Sequence, residues 1–164
     1  MMSRPRSRAP RPLLRLTILL AALAASGCAF RGADPSARAD ALMANPPLEL
    51  RVRLHLIERF EPGVRGGMPG PVPEDSIAAR LEADPVMTAF VRRYFSPETD
   101  LATWERLEQL RRIGLTAVEG GFEFSFTSDK PCELIYRAGR VVIDDAGDID
   151  RVELSQERTS DRPC

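Results

Sequence analysis

The chain has 164 residues, of which 43% are hydrophobic and 29% are charged. This length suffices for one domain with a substantial buried core and leaves too little chain for a second domain. The 23 basic and 24 acidic residues give a net charge of −1, so the chain lacks the basic excess that nonspecific nucleic-acid binding requires. We therefore predict a single folded domain and no nucleic-acid partner.

The N-terminal residues have the layout of an export signal. Five arginines and no acidic residue lie within residues 1–15, and a mostly apolar run of ten residues follows from Leu16 to Ala25. A transmembrane helix needs roughly 20 apolar residues, so this run is too short to span a bilayer but suits the centre of a signal peptide. The sequence predicts that residues 1–27 are a signal peptide that is removed.

The end of this signal, Ala25-Ser26-Gly27-Cys28, resembles the lipobox of bacterial lipoproteins. The resemblance implies cleavage before Cys28, a diacylglycerol on its sulfur and a fatty acyl group such as palmitate on its new amino group. Several acyl chains make a stable anchor, whereas one alone binds a membrane marginally. Because Ala29 rather than aspartate follows the cysteine, the resemblance also implies the outer membrane, facing the periplasm. The alternative is an ordinary secretory signal followed by an incidental cysteine.

Removal of the signal and lipidation of Cys28 change the net charge and the number of free cysteines. Five of the 23 basic residues are lost, which leaves 18 against 24 acidic residues and a charge of −6 for residues 28–164. With Cys28 lipidated, Cys132 and Cys164 remain as an even pair in an oxidising compartment. Two interpretations are open for them: a disulfide that ties the C-terminal tail to a sheet, or two free thiols. Since no Cys-x-x-Cys or Cys/His cluster occurs, the sequence predicts no cofactor.

Residues 28–47 are predicted to form a lipidated tether and residues 48–164 the single domain. Within the tether, Asp34-Pro35 predicts a short helix that runs to Ala44 and is ended by Asn45-Pro46-Pro47. From Leu48 to Leu56, apolar residues alternate with polar ones, which predicts a strand with one buried face. His55 lies on the polar side of this pattern without a local carboxylate to orient it, so we interpret it as a surface residue rather than a catalytic one.

The stretch from Phe60 to Pro73 is rich in glycine and proline and predicts a long loop. Loops of this length often have a function, and this one could contact a partner through Val64, Met68 and Val72. The alternative is a flexible connector. It is not a phosphate-binding loop, because it lacks the Gly-Lys-Ser/Thr ending.

Three helices are predicted next: Glu74 to Ala83, Asp84-Pro85 to about Tyr94, and a third after Ser96-Pro97 that Gly114 ends. In the third helix, apolar residues recur every three positions and predict a core-facing stripe: Leu101, Trp104, Leu107, Leu110 and Ile113. We interpret Trp104 as a core anchor rather than a ligand-stacking residue. The opposite face is predicted to be solvated and consists of Glu105, Glu108, Arg111 and Arg112.

The C-terminal third is predicted to be an antiparallel meander of short strands: Leu115 to Val118, Phe122 to Thr127, Cys132 to Arg137, Arg140 to Ile143 and Ile149 to Leu154. Phe122, Phe124 and Phe126 alternate with polar residues, which indicates one buried face. The predicted fold class is therefore α+β, with an antiparallel sheet of one N-terminal strand plus the C-terminal meander, covered by two to three helices.

Catalytic and metal-binding signals are sparse. Asp144, Asp145, Asp148 and Asp150 form a candidate calcium loop, but the ligand spacing of calcium loops is missing and Asp-Ala-Gly-Asp is an ordinary turn sequence. No nucleophile elbow and no His-Glu-x-x-His motif is present. We therefore predict no metal and no catalytic residues.

The leading functional hypothesis is a noncatalytic, membrane-anchored protein of the cell envelope that acts through protein–protein interaction, such as an accessory subunit of an assembly or secretion complex. A second hypothesis is a small-molecule or lipid-binding periplasmic module, with the phenylalanine face and the helices as pocket walls. A third is a hydrolase that uses the clustered acidic residues.

Overall fold

The computed structural model describes residues 34–63, 72–130 and 132–161, which form five helices followed by four strands. The helices are α1 Pro35–Ala44, α2 Leu48–Phe60, α3 Glu74–Ala83, α4 Pro85–Phe95 and α5 Asp100–Arg112. The strands are β1 Gly114–Val118, β2 Gly121–Lys130, β3 Glu133–Ile143 and β4 Ile149–Asp161. The strands pair in the order β1-β2-β3-β4, each antiparallel to the next. The predicted α+β class and C-terminal antiparallel meander are confirmed.

The predicted N-terminal strand is wrong, because Leu48–Phe60 is the helix α2. The alternating apolar residues also satisfy helical spacing: Val52, Leu56 and Phe60 lie four residues apart on one side. Leucine, arginine and glutamate dominate the segment, and all three favour helices. Apolar side chains cover a broad part of the helix surface, and Val52, Leu54, Leu56 and Ile57 are buried.

Helix α1 confirms the short helix predicted from Asp34-Pro35 to Ala44, but it is part of the domain. Ala39 is completely buried, and Arg93 of α4 donates a hydrogen bond of 2.8 Å to the carbonyl of Ser36 and pairs with Asp40. The compact unit starts at Pro35, whereas the predicted domain starts at Leu48. The small side chain of Ala39 allows close helix packing without a conspicuous apolar stripe.

Helices α3, α4 and α5 confirm the three predicted helices, and side chains cap two of them. Asp84 accepts a hydrogen bond of 3.2 Å from the backbone N–H of Met87, and Thr99 accepts one of 3.1 Å from that of Ala102. These contacts satisfy backbone donors that the first turn of a helix leaves without partners. The predicted start at Asp84-Pro85 therefore has a direct physical basis, whereas α5 begins after Thr99 rather than directly after Ser96-Pro97.

The predicted apolar stripe of α5 is confirmed in four of its five positions. Trp104 is fully buried, and Leu107, Leu110 and Ile113 are at most 4% exposed, whereas Leu101 is 37% exposed. The prediction that Glu108 is solvated is wrong, since this residue is only 9% exposed. Its carboxylate lies 3.3 Å from Arg111 and 3.7 Å from each of Arg80 and Arg112. Burial of this carboxylate is compatible with three surrounding guanidinium groups.

Strand β3 continues through Ala138 and Gly139, where the sequence predicts a break between two strands. Two irregularities lie in β4 instead. Leu154 pairs with Gly139 and Gln156 with Ala138, which leaves Ser155 as a β-bulge, and the shift between Val142 and Ile143 leaves Asp150 without a partner in β3. Strand β4 also extends to Asp161, beyond the predicted end at Leu154. A glycine inside a strand can indicate close packing rather than a turn.

The core lies between the helices and one face of the sheet. Phe60 of α2 contacts Phe124 and Phe126 of β2, with ring centroids 6.4 and 5.8 Å apart. Both β2 phenylalanines are 3% exposed, which confirms that the phenylalanine face is buried. In the described part of the chain, no helix is long and apolar enough to cross a membrane.

Candidate functional site

The opposite face of the sheet carries side chains that the described helices do not cover. Because side chains alternate along a strand, the burial of Phe124 and Phe126 turns Glu123 and Ser125 to the other side. In β3, the same alternation places Tyr136, Ala138 and Arg140 beside them, as the register of the two strands requires. We call this side the open sheet face.

A groove of about 630 Å³ crosses the open sheet face. Its floor consists of small residues on three neighbouring strands, Gly114, Ser125 and Ala138. Tyr136 lines it with 38% of its surface exposed. It is one of the five exposed large hydrophobic side chains in the described residues. The groove therefore combines a shallow floor with an exposed aromatic ring.

A row of charged side chains borders the groove. Glu123, Arg140 and Glu153 occupy directly opposite positions on β2, β3 and β4. Opposite charges at such positions stabilise strand pairing. Arg140 also donates a hydrogen bond to the carbonyl of Glu119, and Glu153 accepts one of 2.7 Å from Arg151. The border thus presents both signs of charge.

A second cavity, of about 510 Å³, lies among the helices and is mainly apolar. We call it the helical cleft, and its lining is Leu42, Pro47, Glu49, Leu50, Arg53, Asp84, Met87, Leu107, Leu110 and Arg111. Arg53 is held at its rim by a hydrogen bond of 2.6 Å to the carbonyl of Leu110 and an ion pair of 2.8 Å with Glu49. The lining of this cleft includes none of Phe122, Phe124 and Phe126.

The structure places the candidate calcium residues in a tight turn. Asp144 accepts hydrogen bonds of 3.0 and 2.8 Å from the backbone N–H groups of Ala146 and Asp148, and Asp148 forms an ion pair of 2.7 Å with Arg51. Throughout the described ranges, no group of three or more His, Cys, Asp or Glu residues is arranged to hold a metal ion. Asp144 and Asp148 thus make the contacts of an Asx turn and a surface ion pair.

The other candidate residues are dispersed. His55 is half-buried on α2 rather than on a strand, and Val72 is half-buried and packs against the core. Cys132 lies in the turn before β3 with a φ of 65°. Cys28, Val64, Met68 and Cys164 lie outside the described residues, so the lipid anchor, most of the contact loop and the cysteine pair stay predictions. No described contact unites these residues in one site.

Tyr94 has a clearly shifted pKa. Its hydroxyl donates a hydrogen bond of 2.7 Å to Glu58. Burial is the main cause, followed by that hydrogen bond and the negative charge of Glu58, and together they raise the pKa of Tyr94 to about 12. Hydrogen bonds to Glu153 and Asp150 likewise raise the pKa of Arg151. Neither group can act as a general base near neutral pH.

The shifted pKa of Tyr94 predicts a measurable titration. Ultraviolet absorbance should detect formation of the Tyr94 phenolate near pH 12, and Tyr94→Phe should remove this step. The protonated form is favoured in the folded state, so its contribution to stability is complete below pH 10 and is lost as the pH rises towards 12. Glu58→Gln should lower the pKa of Tyr94. An unchanged titration in that variant would contradict the role of Glu58.

The open sheet face was partly readable from the sequence, because the alternation in β2 predicted that Glu123, Ser125 and Thr127 share a side. The contribution of Tyr136 was missed, since it depends on strand register. The helical cleft gave no sequence signal beyond the helical periodicity of its apolar residues. Comparisons with protein families, curated proteins and solved structures found no match for the chain.

Proposed function

We propose that this protein is a noncatalytic, membrane-anchored protein of the bacterial cell envelope that binds another envelope protein through the open sheet face. The anchor is Cys28, lipidated after removal of residues 1–27, and the outer membrane is the proposed location, with the domain in the periplasm. The observation that carries the interaction role is the groove on the open sheet face, with Tyr136 exposed at its side.

The groove has the composition of a protein-binding surface. Tyrosine is enriched at interfaces because its ring offers apolar area and its hydroxyl a polar contact. The small residues on the floor leave space for side chains of a partner, and Glu123, Arg140 and Glu153 provide polar contacts at the border. The proposed class is an accessory subunit of an assembly or secretion complex, because such a role would use both the groove and the anchor.

Site-specific photocrosslinking in intact envelopes tests this proposal. A photoreactive amino acid at Thr116, which is exposed and lines the groove, is expected to crosslink one reproducible protein. Ala138→Arg fills the groove floor and should abolish that product. Ala79→Arg places the same side chain on an exposed position of α3 and should leave the product unchanged.

Two outcomes would contradict the proposal. One is the absence of a reproducible product from Thr116, and the other is an equal yield from the Ala138→Arg variant, provided that circular dichroism shows the fold intact. A product that is lost only when the groove floor is filled would place the partner on the open sheet face.

The helical cleft favours a second candidate function, a small-molecule or lipid-binding module. Its apolar walls and few charged rim residues resemble the general composition of ligand pockets. Native mass spectrometry of the purified protein distinguishes this candidate from the first, because it predicts a bound molecule of defined mass. An empty domain in every preparation would exclude it.

A further inference from the structure

In the described sheet, β4 is an edge strand of 13 residues, and it pairs with β3 on one side only. Edge strands present backbone donors and acceptors that can pair with another strand. Charged side chains and bulges usually prevent such pairing, and β4 carries both. The arrangement of its charges is therefore the feature that decides which strand, if any, can lie beside it.

Among the described residues, the Arg158 side chain makes no hydrogen bond or ion pair, unlike the other three arginines of the sheet. Arg137 pairs with Glu157, Arg140 binds a carbonyl, and Arg151 binds Glu153 and Asp150. Arg158 is exposed and lies opposite Tyr136 on the open sheet face. Glu153 uses one carboxylate oxygen for Arg151, which leaves its second oxygen for another donor.

The bulge at Ser155 changes which residues of β4 lie on the open sheet face. Before the bulge, Arg151 and Glu153 pair with Val142 and Arg140 of β3 and share their side. After the bulge, Arg158 and Ser160 pair with Tyr136 and Leu134 and occupy that same side. Odd-numbered residues before the bulge and even-numbered residues after it therefore point to the same side of the sheet.

We propose that β4 is a homodimer interface, in which two copies of this chain pair antiparallel through their β4 edges about a two-fold axis at Ser155 and Gln156. Each Glu153 then lies opposite Arg158 of the second copy. Val152 lies opposite Thr159, and Arg151 lies opposite Ser160. Side chains on each face of one sheet continue on the same face of the other, as antiparallel pairing requires.

The charges select this register over its neighbours. A shift of one residue turns the paired side chains to opposite faces. A shift of two residues in one direction places Arg151 opposite Arg158 of the second copy, which is unfavourable, and a shift of two in the other direction places Glu153 opposite Ser160 and loses the ion pair. The proposed pairing ends at Arg151 and Ser160, because beyond them Asp150 and Asp161 would face each other as like charges. A second copy is thus the partner whose charges complement this edge.

Charge exchange tests the interface. Sedimentation of the detergent-extracted, processed protein should show a concentration-dependent dimer. Glu153→Arg and Arg158→Glu should each raise the dissociation constant at least about tenfold, since each change places like charges opposite each other twice. The double variant exchanges the charges and should restore dimerisation. Arg38→Glu, a change of an exposed arginine on α1, is the matched control and should have no effect.

Circular dichroism of every variant shows whether the monomer remains folded. If the wild-type protein is monomeric at all concentrations, the proposal that β4 is a homodimer interface is wrong. A double variant that stays as monomeric as the single variants, although folded, would also overturn it. If the double variant forms a dimer and neither single variant does, Glu153 and Arg158 face each other across the interface.

Discussion

Replacement of Gly139 by alanine is expected to destabilise the protein by about 3 kcal/mol or more, because overpacking in a well-packed core has costs of this order. A Cβ atom at this position would overlap the carbonyl oxygen of Glu153 and would lie 2.9 Å from Cζ of Phe124. The first neighbour is backbone and the second is a buried ring, so neither can move cheaply. Urea denaturation followed by circular dichroism measures the change.

Gly114→Ala is the matched control for this substitution. A Cβ atom at Gly114 would lie 3.2 Å from the hydroxyl oxygen of Ser125, and this side chain can rotate. Alanine also lowers the conformational entropy of the unfolded chain, which stabilises the folded state. The expected change in the free energy of unfolding is therefore within about 1 kcal/mol. Equal effects of the two substitutions would contradict the close approach of β4 and Phe124 to Gly139.

Removal of the Trp104 side chain is expected to have a similarly large effect. Trp104 is fully buried among the helices, and truncation of a buried tryptophan to alanine costs about 3–5 kcal/mol. Its indole Nε1 is buried and has no hydrogen-bond partner among the described residues. Trp104→Phe therefore keeps most of the apolar contact without losing a hydrogen bond, and it should cost less than half as much as Trp104→Ala.

The two Trp104 variants must be compared by circular dichroism, since the chain contains a single tryptophan and its fluorescence is lost in both. If Trp104→Phe destabilised the protein as much as Trp104→Ala, the indole N–H would have to make a contact that the described structure lacks. If both variants were as stable as the wild type, the position of Trp104 in the core would be wrong.

The meander and three helices could be predicted because their signals are local. Gly120-Gly121 and the aspartate-rich turn separate runs with strand periodicity, and the phenylalanines of β2 alternate with polar residues. Asp84 and Thr99 sit at the starts of α4 and α5, where their side chains satisfy backbone N–H groups. Local hydrogen bonds and periodicity were sufficient in these segments.

The errors arose where tertiary packing overrides a local pattern. The alternation of apolar and polar residues in α2 resembled a strand. Apolar side chains cover a broad part of this helix, and such a helix can also carry an apolar residue at every second position. The packing of helix α1 gave no sequence signal, because Ala39 packs through its small size rather than through a large apolar side chain. Glu108 resembled a solvated residue, yet three arginines surround it, and two of these lie on its own helix.

The candidate site could be predicted only in part. The polar side of β2 was visible, but the groove requires that Gly114, Ser125 and Ala138 lie side by side on three strands, and sequence spacing does not determine that register. The self-complementary charges of β4 likewise depend on the bulge at Ser155, which is visible only from its pairing with β3. Long-range register is therefore the information that the sequence patterns lacked.

The proposed function rests on the lipid anchor, and metabolic labelling with a palmitate analogue tests it most directly. The wild-type protein should incorporate the label and fractionate with the outer membrane, whereas the Cys28→Ser variant should remain unlabelled. Cys132→Ser, which keeps Cys28, is the matched control and should be labelled like the wild type. An unlabelled wild-type protein, or equal labelling of the Cys28→Ser variant, would contradict anchorage through Cys28.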